Sequence, residues 1–278
     1  MIYRANIGRF EIAALQVWPL QQMPASEVLL DVDTSSLEEC RARLPQFFGD
    51  DLSLIELTQN ICVIRRPGQI VLVDTGEPLH RAGAILAWGL AAVGIQPHEV
   101  DLVFLTHRDS DHVGGTVDAH GQVLYPRAKY LISRFEYEEF KAEAKRADQF
   151  RASIKPLEDC GLLEFFEDGA EIAAGLTAVA TPGHRSGATS LRVEDNGQAA
   201  LLLADTLHLP IQITHPEFSG VWDGDAELAA RTRRQIVDQA ELDGLLLAVP
   251  HTPFGGLGYV RLEAGKRVWS PLGLKSDA

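Results

Sequence analysis

The stretch Leu102-Val-Phe-Leu-Thr-His-Arg-Asp-Ser-Asp-His-Val-Gly-Gly115 decides the fold. Its first four residues are apolar and are bounded by polar ones, which predicts a short buried strand. The candidate metal ligands that follow this strand are His107, Asp109, Asp111 and His112. Two imidazoles and two carboxylates suit zinc, iron, manganese or cobalt. The stretch therefore predicts a metal-binding loop, which we expect to be extended, although an exposed polar turn would carry the same residue types.

Three further polar residues stand where apolar segments or tight turns end. His184 follows Thr181-Pro-Gly, Asp205 ends the apolar run at 200–204, and His251 follows the apolar run at 245–249. Singly, they have ordinary interpretations as a turn histidine, a helix-capping aspartate and a buried core histidine. Since strand ends are where α/β folds place sites, all seven residues together predict one metal centre.

The apolar pattern predicts a mixed α/β chain. Strands are predicted at residues 10–18, 52–65, 69–74, 102–105, 129–132, 162–166, 172–180, 188–193, 200–204 and 245–249. Helices are predicted to begin near Ser35 and to cover 79–93, 134–152 and 226–240. This order predicts two packed sheets with helices outside. Because no long linker or internal repeat interrupts it, we expect a single domain over residues 1–278.

Composition narrows the function classes. With 25 Lys and Arg against 39 Asp and Glu, the 278-residue chain has a formal net charge of −14. This charge disfavours nucleic acids and anionic membranes as partners, so a small-molecule substrate is expected, and a homodimer stays open. Neither an export signal nor a long apolar span is evident, which favours a cytoplasmic protein. The widely spaced Cys40, Cys62 and Cys160 are interpreted as reduced core thiols.

The sequence resembles the metallo-β-lactamase superfamily of binuclear metallohydrolases from about Phe10 to Val260. The family's HxHxDH motif corresponds to residues 107–112, followed by Val-Gly-Gly. The other matching segments, in order, are Val73-Asp-Thr-Gly76, Thr181-Pro-Gly-His184, Leu203-Ala-Asp205 and Pro250-His-Thr-Pro-Phe254. The resemblance implies a four-layer αββα sandwich with its site at one edge of the two sheets.

The resemblance also implies two divalent metal ions. One would be bound by His107, Asp109 and His184, the other by Asp111, His112 and His251, with Asp205 bridging them. The chain departs from the family at Asp109, which replaces the usual second histidine and gives a variant HxDxDH motif. Zinc is the expected metal, and manganese or iron are the alternatives because a carboxylate at position 109 makes the site harder.

Charge and resemblance together suggest a hydrolytic mechanism. Two divalent ions carry +4 against three aspartates, which leaves about +1 for a bridging hydroxide as the nucleophile. Asp111 is the candidate proton shuttle. Asp74 is expected to orient a metal-binding histidine from behind. The candidate substrate-binding residues are His208, Gln212, His215 and Phe254.

The most similar branch contains acyl-homoserine lactonases and methyl parathion hydrolase-like proteins. It implies hydrolysis of an ester-type bond, in a lactone, carboxylic ester or phosphotriester, within a small and mostly neutral substrate. A quorum-quenching N-acyl homoserine lactonase is the specific alternative. Asp109 also keeps a di-iron oxidoreductase open, and a non-catalytic binding relative is the third hypothesis. Residues 21–51 match least, and a lid, a dimer element and plain surface all stay open for them.

Overall fold

Two seven-stranded β-sheets form the centre of the computed structural model, which describes residues 1–30, 32–44, 47–48, 51, 53–78 and 84–272. The strands are β1 (Ile2–Ile7), β2 (Phe10–Gln16), β3 (Gln21–Pro24), β4 (Leu54–Leu57), β5 (Asn60–Arg66), β6 (Gln69–Val73), β7 (Leu102–Leu105), β8 (Lys129–Ser133), β9 (Leu163–Phe166), β10 (Glu171–Ala173), β11 (Leu176–Ala180), β12 (Thr189–Asp195), β13 (Gln198–Leu202), β14 (Leu246–Ala248), β15 (Leu257–Glu263) and β16 (Lys266–Pro271). The first sheet has the order β1-β2-β5-β6-β7-β8-β9, and the second runs in sequence from β10 to β16. A separate two-stranded sheet pairs β3 with β4.

Helices cover the outer faces of both sheets. They are α1 (Thr34–Arg43), α2 (Ala84–Ala92), α3 (Ser110–Val113), α4 (Arg134–Ala142), α5 (Ala147–Ser153), α6 (Lys155–Asp159), α7 (Ile211–Thr214) and α8 (Ala226–Asp243). The longest, α8, begins where the Asp225 carboxylate accepts the Leu228 N–H, and it ends at Gly244 in the left-handed conformation. Both features are common helix end signals, so local sequence accounts for its bounds.

Apolar side chains alternate between the two faces of the first sheet and divide the core into layers. In β6, Val71 and Val73 pack between the two sheets with Leu246 of the second sheet. Leu72 points the opposite way, into the cluster that contains Leu90 of α2. This alternation follows from the two-residue period of a strand. With α8 covering the other sheet, the layers form the αββα sandwich, which confirms the predicted fold class.

Parallel strands bring the predicted site residues to one edge. In the first sheet, β6 and β7 run parallel, and in the second, β13 and β14 do. The carboxyl end of β7 leads to residues 107–112, and the ends of β13 and β14 lead to Asp205 and His251. The long-range position of the site is therefore a consequence of sheet topology.

The glycines after the motif permit close backbone contact. A Cβ atom at Gly115 would lie 2.1 Å from the Thr75 carbonyl oxygen, and one at Gly114 would lie 2.4 Å from a Pro78 side-chain atom. Any larger residue would push the motif away from the loop that follows β6. The Gly-Gly pair thus fixes the distance between the motif and Asp74.

Several predicted bounds are corrected by the structure. The predicted strand 52–65 is two strands in different sheets, and the predicted helix 134–152 breaks after α4. The motif is not wholly extended, because residues 110–113 form a helical turn. The predicted strand 172–180 is likewise two antiparallel strands, β10 and β11. The sequence pattern missed β1, β3, β15 and β16. Residues 79–83 of one predicted helix lie outside the described residues.

The thiols differ from one another in exposure. Cys40 and Cys62 are buried as predicted, whereas Cys160 is exposed, which corrects its assignment to the core. Burial raises the pKa of Cys62 to about 12, so this thiol is unreactive at neutral pH. In the part of the chain that the structure describes, no helix is both long and apolar enough to cross a membrane.

Candidate metal centre

Asp205 lies at the middle of a ring of histidines. Its Oδ2 atom is 3.1 Å from His251 Nε2, 3.7 Å from His184 Nε2 and 3.8 Å from His107 Nε2. Its Oδ1 atom is 3.2 Å from His112 Nε2. All four imidazoles therefore turn the same nitrogen toward one carboxylate. This arrangement matches the predicted bridging position of Asp205.

Asp74 and Thr106 hold two of these rings from behind. The Asp74 carboxylate accepts hydrogen bonds from the Thr106 N–H at 2.8 Å, the Thr106 hydroxyl at 2.8 Å and His112 Nδ1 at 2.7 Å. Because Thr106 gives its hydroxyl proton to Asp74, it accepts one from His107 Nδ1, 3.0 Å away. Both rings thus carry a proton on Nδ1, so the Nε2 atoms face the centre. Asp74 thus contacts His112 directly and His107 through Thr106, and its orienting role stays a prediction.

The other two rings are held in the same way by more distant parts of the chain. His184 Nδ1 donates to Asp223 Oδ1 at 3.2 Å, and His251 Nδ1 donates to the Thr58 carbonyl oxygen at 3.0 Å. Asp223 is in turn bound by the buried Arg233. Asp223 and the Thr58 carbonyl oxygen can only accept hydrogen bonds, so the Nδ1 atoms of both rings carry protons. The Nε2 atoms of His184 and His251 therefore also face the centre.

The donor atoms fit divalent metal ions. One atom each from Asp111, His112, Asp205 and His251 lie within 4.8 Å of one another, and so do single atoms of His107, His184 and Asp205. Among the described residues, His107 Nε2, His112 Nε2 and Asp205 Oδ1 are buried polar atoms without a well-aligned hydrogen bond. Buried lone pairs without partners are costly unless a cation binds them. The mixed nitrogen and oxygen donor set suits zinc, manganese or iron.

The pKa shifts reflect this crowding. Burial alone would raise the pKa of Asp205, but His112, His251 and His208 hold it well below its usual range. Burial and the neighbouring His112 lower the pKa of His107 well below its usual value. Burial would also lower the pKa of His184, yet hydrogen bonds to Asp109 and Asp223 raise it to about 9. Asp205 is therefore charged and His107 is neutral, whereas the raised pKa values of His112 and His184 mean that a cation would displace a proton from Nε2 of each ring.

Asp109 differs from the other candidate ligands because two arginines bind it. Arg185 forms a two-pronged contact, with Nε 2.8 Å from Oδ1 and Nη2 2.6 Å from Oδ2. Arg146 Nη2 lies 3.0 Å from Oδ1, and His184 Nε2 lies 3.1 Å from Oδ2. Burial would raise the pKa of Asp109, but His184, His107 and Arg185 lower it strongly. Asp109 is thus an ionised carboxylate at the rim of the centre.

A cavity of about 300 Å³ opens directly above the ring of histidines. Its floor includes Asp111 and Asp205. His208 lies in its wall, with Nε2 3.4 Å from Asp205 Oδ2. Its walls are largely apolar and comprise Trp18, Met23, Leu57 and Trp222. The Trp18 ring lies 5.7 Å from the His251 ring, and the Trp222 ring lies 5.8 Å from the His208 ring. A small molecule in this cavity would contact apolar walls and the donor atoms together.

Comparison with known proteins agrees with this geometry. The family model of the metallo-beta-lactamase superfamily matches residues 54–251, which is more than half of the chain and contains every candidate ligand. This chain belongs to the metallo-beta-lactamase superfamily. Its curated relatives include two vertebrate proteins named metallo-beta-lactamase domain-containing protein 1. The one from Xenopus laevis is 30% identical over 154 residues, 55% of this chain and 56% of that protein. The one from Mus musculus is 44% identical over 63 residues, 23% of this chain and 21% of that protein.

Solved structures of the superfamily share the fold. The hydrolase AbOPH superposes with a TM-score of 0.87 at 24% identity, over 99% of this chain and 98% of its own. AidC, a dizinc quorum-quenching lactonase solved with the product N-hexanoyl-L-homoserine, gives 0.81 at 20% identity, over 97% of each chain. The chain spans only about half of the frog relative and a fifth of the mouse relative. The similarity that extends over nearly the whole of this chain is the similarity of fold to the solved structures.

The predicted substrate-binding residues of this superfamily member differ in whether they line the cavity. His208 lies in the cavity wall. Gln212 is buried. Its side-chain oxygen accepts from the His208 N–H, and its side-chain nitrogen donates to the Phe218 carbonyl oxygen. His215 contacts Cys40 and stacks on Phe218. Phe254 packs on Phe47. Gln212, His215 and Phe254 are therefore not among the residues that line the cavity, because their side chains fill space behind or beside the site.

Several site residues escaped sequence reasoning. Asp223 and Arg185 lie far along the chain from the ligands that they hold, and Gln59 binds the Asp111 backbone and side chain. Two cavity walls, Met23 and Leu57, come from the small β3–β4 sheet. The one available signal in the sequence is the position of Asp223 directly after Trp222, an aromatic residue in a loop. Part of the least-matched region, residues 21–24, is thus a wall of the cavity.

We expect Asp74→Asn to weaken metal binding by about 10–100-fold, as is usual when an outer-shell carboxylate is lost. Asp74 has a φ of 64°, which asparagine tolerates well, so the variant should fold. The loss arises because an amide no longer fixes the His112 proton on Nδ1. Zinc titration with a competing chelator measures it, and Asp148→Asn, at a remote exposed aspartate, is the matched control. Equal zinc affinity in both variants would refute the orienting role.

Proposed function

We propose that this protein is a metal-dependent hydrolase that cleaves an ester-type bond in a small, mostly neutral substrate. The observation that carries the proposal is the set of histidine Nε2 atoms around Asp205 at the floor of an apolar-walled cavity. The bond classes to test are lactones, carboxylic esters and phosphotriesters. An N-acyl homoserine lactone is the first substrate to test, since apolar walls beside a polar floor suit an acyl chain attached to a lactone ring.

The centre would hold two divalent ions, and zinc is the proposed metal. His107 and His184 would hold one ion, and Asp111, His112 and His251 the other, with Asp205 between them. Such ions supply Lewis acidity and lower the pKa of water toward neutrality. The chain contributes the fixed orientation of the rings through Asp74, Thr106, Asp223 and the Thr58 carbonyl oxygen.

Asp111 is the residue best placed to move a proton. Its Oδ2 atom lies 3.5 Å from His112 Nε2 and 3.6 Å from His251 Nε2. Its side chain lines the cavity and is 17% exposed. Gln59 donates to both its backbone oxygen and its carboxylate. This support holds the carboxylate beside the donor atoms while leaving it accessible to a bound substrate.

The cavity favours a neutral substrate over a polyanion. Among the described residues its lining contains neither lysine nor arginine, while Trp18 and Trp222 contribute aromatic rings. Together with a net charge of −14, the site offers little attraction to a multiply phosphorylated molecule. Acyl or aryl groups would gain about 25 cal/mol for each Å² of apolar surface that they bury against these walls.

His208 is proposed to donate a hydrogen bond to a substrate oxygen. The ring is buried in the cavity wall, and neither nitrogen has a well-aligned hydrogen bond among the described residues. Burial lowers its pKa, so the ring is neutral and carries one N–H to donate. A fixed donor at a developing oxyanion is a common source of rate enhancement.

We expect His208→Ala to lower kcat by about 100-fold, the range found when one oxyanion donor is removed. Zinc content should stay unchanged, because the donor groups are complete without His208. Steady-state kinetics on the best ester or lactone measures the effect. His208→Gln, which keeps an N–H donor, should recover part of the rate. Wild-type kcat in the alanine variant would remove His208 from the mechanism.

The decisive experiment is metal analysis of protein purified without added metal or chelator, followed by assays on lactone, ester and phosphotriester panels. Zinc or manganese with turnover on one panel supports the proposal. Iron together with oxygen or nitric oxide reduction, and no hydrolysis, would favour an oxidoreductase. Metal-free protein that neither gains metal on reconstitution nor hydrolyses any panel would favour a non-catalytic relative.

A further inference from the structure

Asp109 is shared between the metal centre and a pair of arginines. A carboxylate has about four lone-pair positions. Arg185 Nε and Nη2 and Arg146 Nη2 take three of them, at 2.8, 2.6 and 3.0 Å. The remaining position faces His184 Nε2. A cation could therefore reach at most one lone pair of Asp109, on Oδ2.

Arg185 is itself fixed and cannot easily release Asp109. Its Nη1 atom donates to the carbonyl oxygens of His184 at 2.8 Å and Trp222 at 2.9 Å. The guanidinium side chain is only 14% exposed, so these bonds are largely shielded from water. A two-pronged arginine–carboxylate pair is among the stronger polar contacts in proteins. Metal binding through Asp109 would have to compete with it.

The two halves of the centre consequently differ in donors. The half at His112 and His251 has Asp111 and Asp205 as additional donors, and all four atoms lie within 4.8 Å of one another. In the half at His107 and His184, Asp205 is the third donor. Asp109 Oδ2 lies 3.1 Å from His184 Nε2 and 3.8 Å from His107 Nε2, but it is shared with Arg185. Four convergent donors match a tetrahedral metal ion, and this half reaches four only with the carboxylate that the arginines bind.

The charges point in the same direction. The half at His112 lies beside the carboxylates of Asp111 and Asp205, with Asp74 directly behind the ring. Near the half at His184, the negative charge of Asp109 is offset by Arg185 and Arg146. The carboxylate of Asp223, behind the His184 ring, is offset by Arg233. Opposing charge within a few ångströms lowers the local attraction for a cation.

We infer that the two halves bind divalent ions with unequal affinity, the weaker being the His107–His184 half, because Arg185 and Arg146 withhold Asp109 from the ion. The ion in the Asp111–His112–His251 half is retained, and the second exchanges with the solution. The inference rests on the proposed metal centre and adds the order in which its halves fill.

Equilibrium dialysis of the wild-type chain against a series of buffered Zn²⁺ concentrations tests this order. Two binding steps of one zinc equivalent each are expected. Their midpoints should differ by about tenfold or more in free zinc concentration, the range usual for changes around metal ligands. His251→Ala should remove the tight step, and His184→Ala the weak one. A single step of two equivalents, or loss of the tight step in His184→Ala, would overturn the inference.

The role of Arg185 is tested by a double-mutant cycle. Arg185→Gln should tighten the weak step by about tenfold, because Asp109 is released toward the ion. In the Asp109→Asn background, the same change should have a much smaller effect. Arg192→Gln, at an arginine paired with Glu194 on a strand of the second sheet, should leave both steps unchanged. An equal effect of Arg185→Gln in both backgrounds would show that Asp109 is not withheld.

Failure of the inference is distinguishable from failure of the proposed function. A chain that binds no zinc at any concentration contradicts the metal centre itself. Two equal steps with ester hydrolysis leave the hydrolase in place and contradict only the inequality. Thermal melting of each variant shows whether it is folded, and the wild-type titration needs no variant.

Discussion

Asp111→Asn is expected to lower turnover by about 10²–10⁴-fold, the contribution that a positioned proton-transfer group makes. Asparagine has nearly the same shape and still lies within reach of Gln59, so the backbone of the motif should be retained. It cannot accept a proton at neutral pH, and it is a weaker ligand than a carboxylate. Steady-state kinetics on the best substrate from the ester and lactone panels measures the loss.

Zinc content separates the two roles of Asp111. If the variant is assayed at saturating zinc and contains as much metal as the wild type, the remaining loss in kcat belongs to proton transfer. Asp148→Asn, whose side chain is 97% exposed, should keep wild-type turnover as the matched control. Turnover like the wild type in Asp111→Asn, with metal retained, would exclude Asp111 from catalysis.

Arg233→Met is expected to lower the free energy of unfolding by about 3–5 kcal/mol, the usual effect of breaking a buried ion pair from one side. Both Arg233 and its partner Asp223 have fully buried side chains. The guanidinium also donates to the carbonyl oxygens of Pro216 at 3.0 Å and Thr206 at 2.9 Å. Methionine fills most of the volume, but it removes the arginine cation that pairs with Asp223, and it leaves these carbonyl oxygens without their donor.

Urea unfolding followed by circular dichroism measures this change. Arg231→Met is the matched control, because Arg231 lies on the same helix with a 59% exposed side chain and a loose ion pair to Glu227 at 3.8 Å. We expect the control to change stability by less than about 0.5 kcal/mol. The double variant Arg233→Met/Asp223→Asn should recover part of the loss, because no charge then stays buried alone. A loss below about 1 kcal/mol in Arg233→Met would show that water compensates Asp223.

Much of the site could be predicted because each ligand follows a local signal. The apolar runs before His107, Asp205 and His251 identify strands, and ligands at strand ends converge when the strands share an edge. The error at residues 52–65 has a long-range cause. The chain leaves the small β3–β4 sheet and enters the first seven-stranded sheet near Thr58. The Thr58 N–H donates to the His251 carbonyl oxygen, and the Asn60 N–H donates to the Pro250 carbonyl oxygen. No periodicity near residue 58 records a partner almost 200 positions away.

The sequence by itself determined the donor types, their order along the chain and the sandwich that brings them together, because strands, turns and apolar faces are set by neighbouring residues. Only the tertiary structure decided how those donors are held. Asp223 behind His184 and Arg185 on Asp109 are contacts between residues 39 and 76 positions apart. Such pairs form when packing closes the intervening loops and excludes water, so their strength depends on burial and geometry that no local pattern contains.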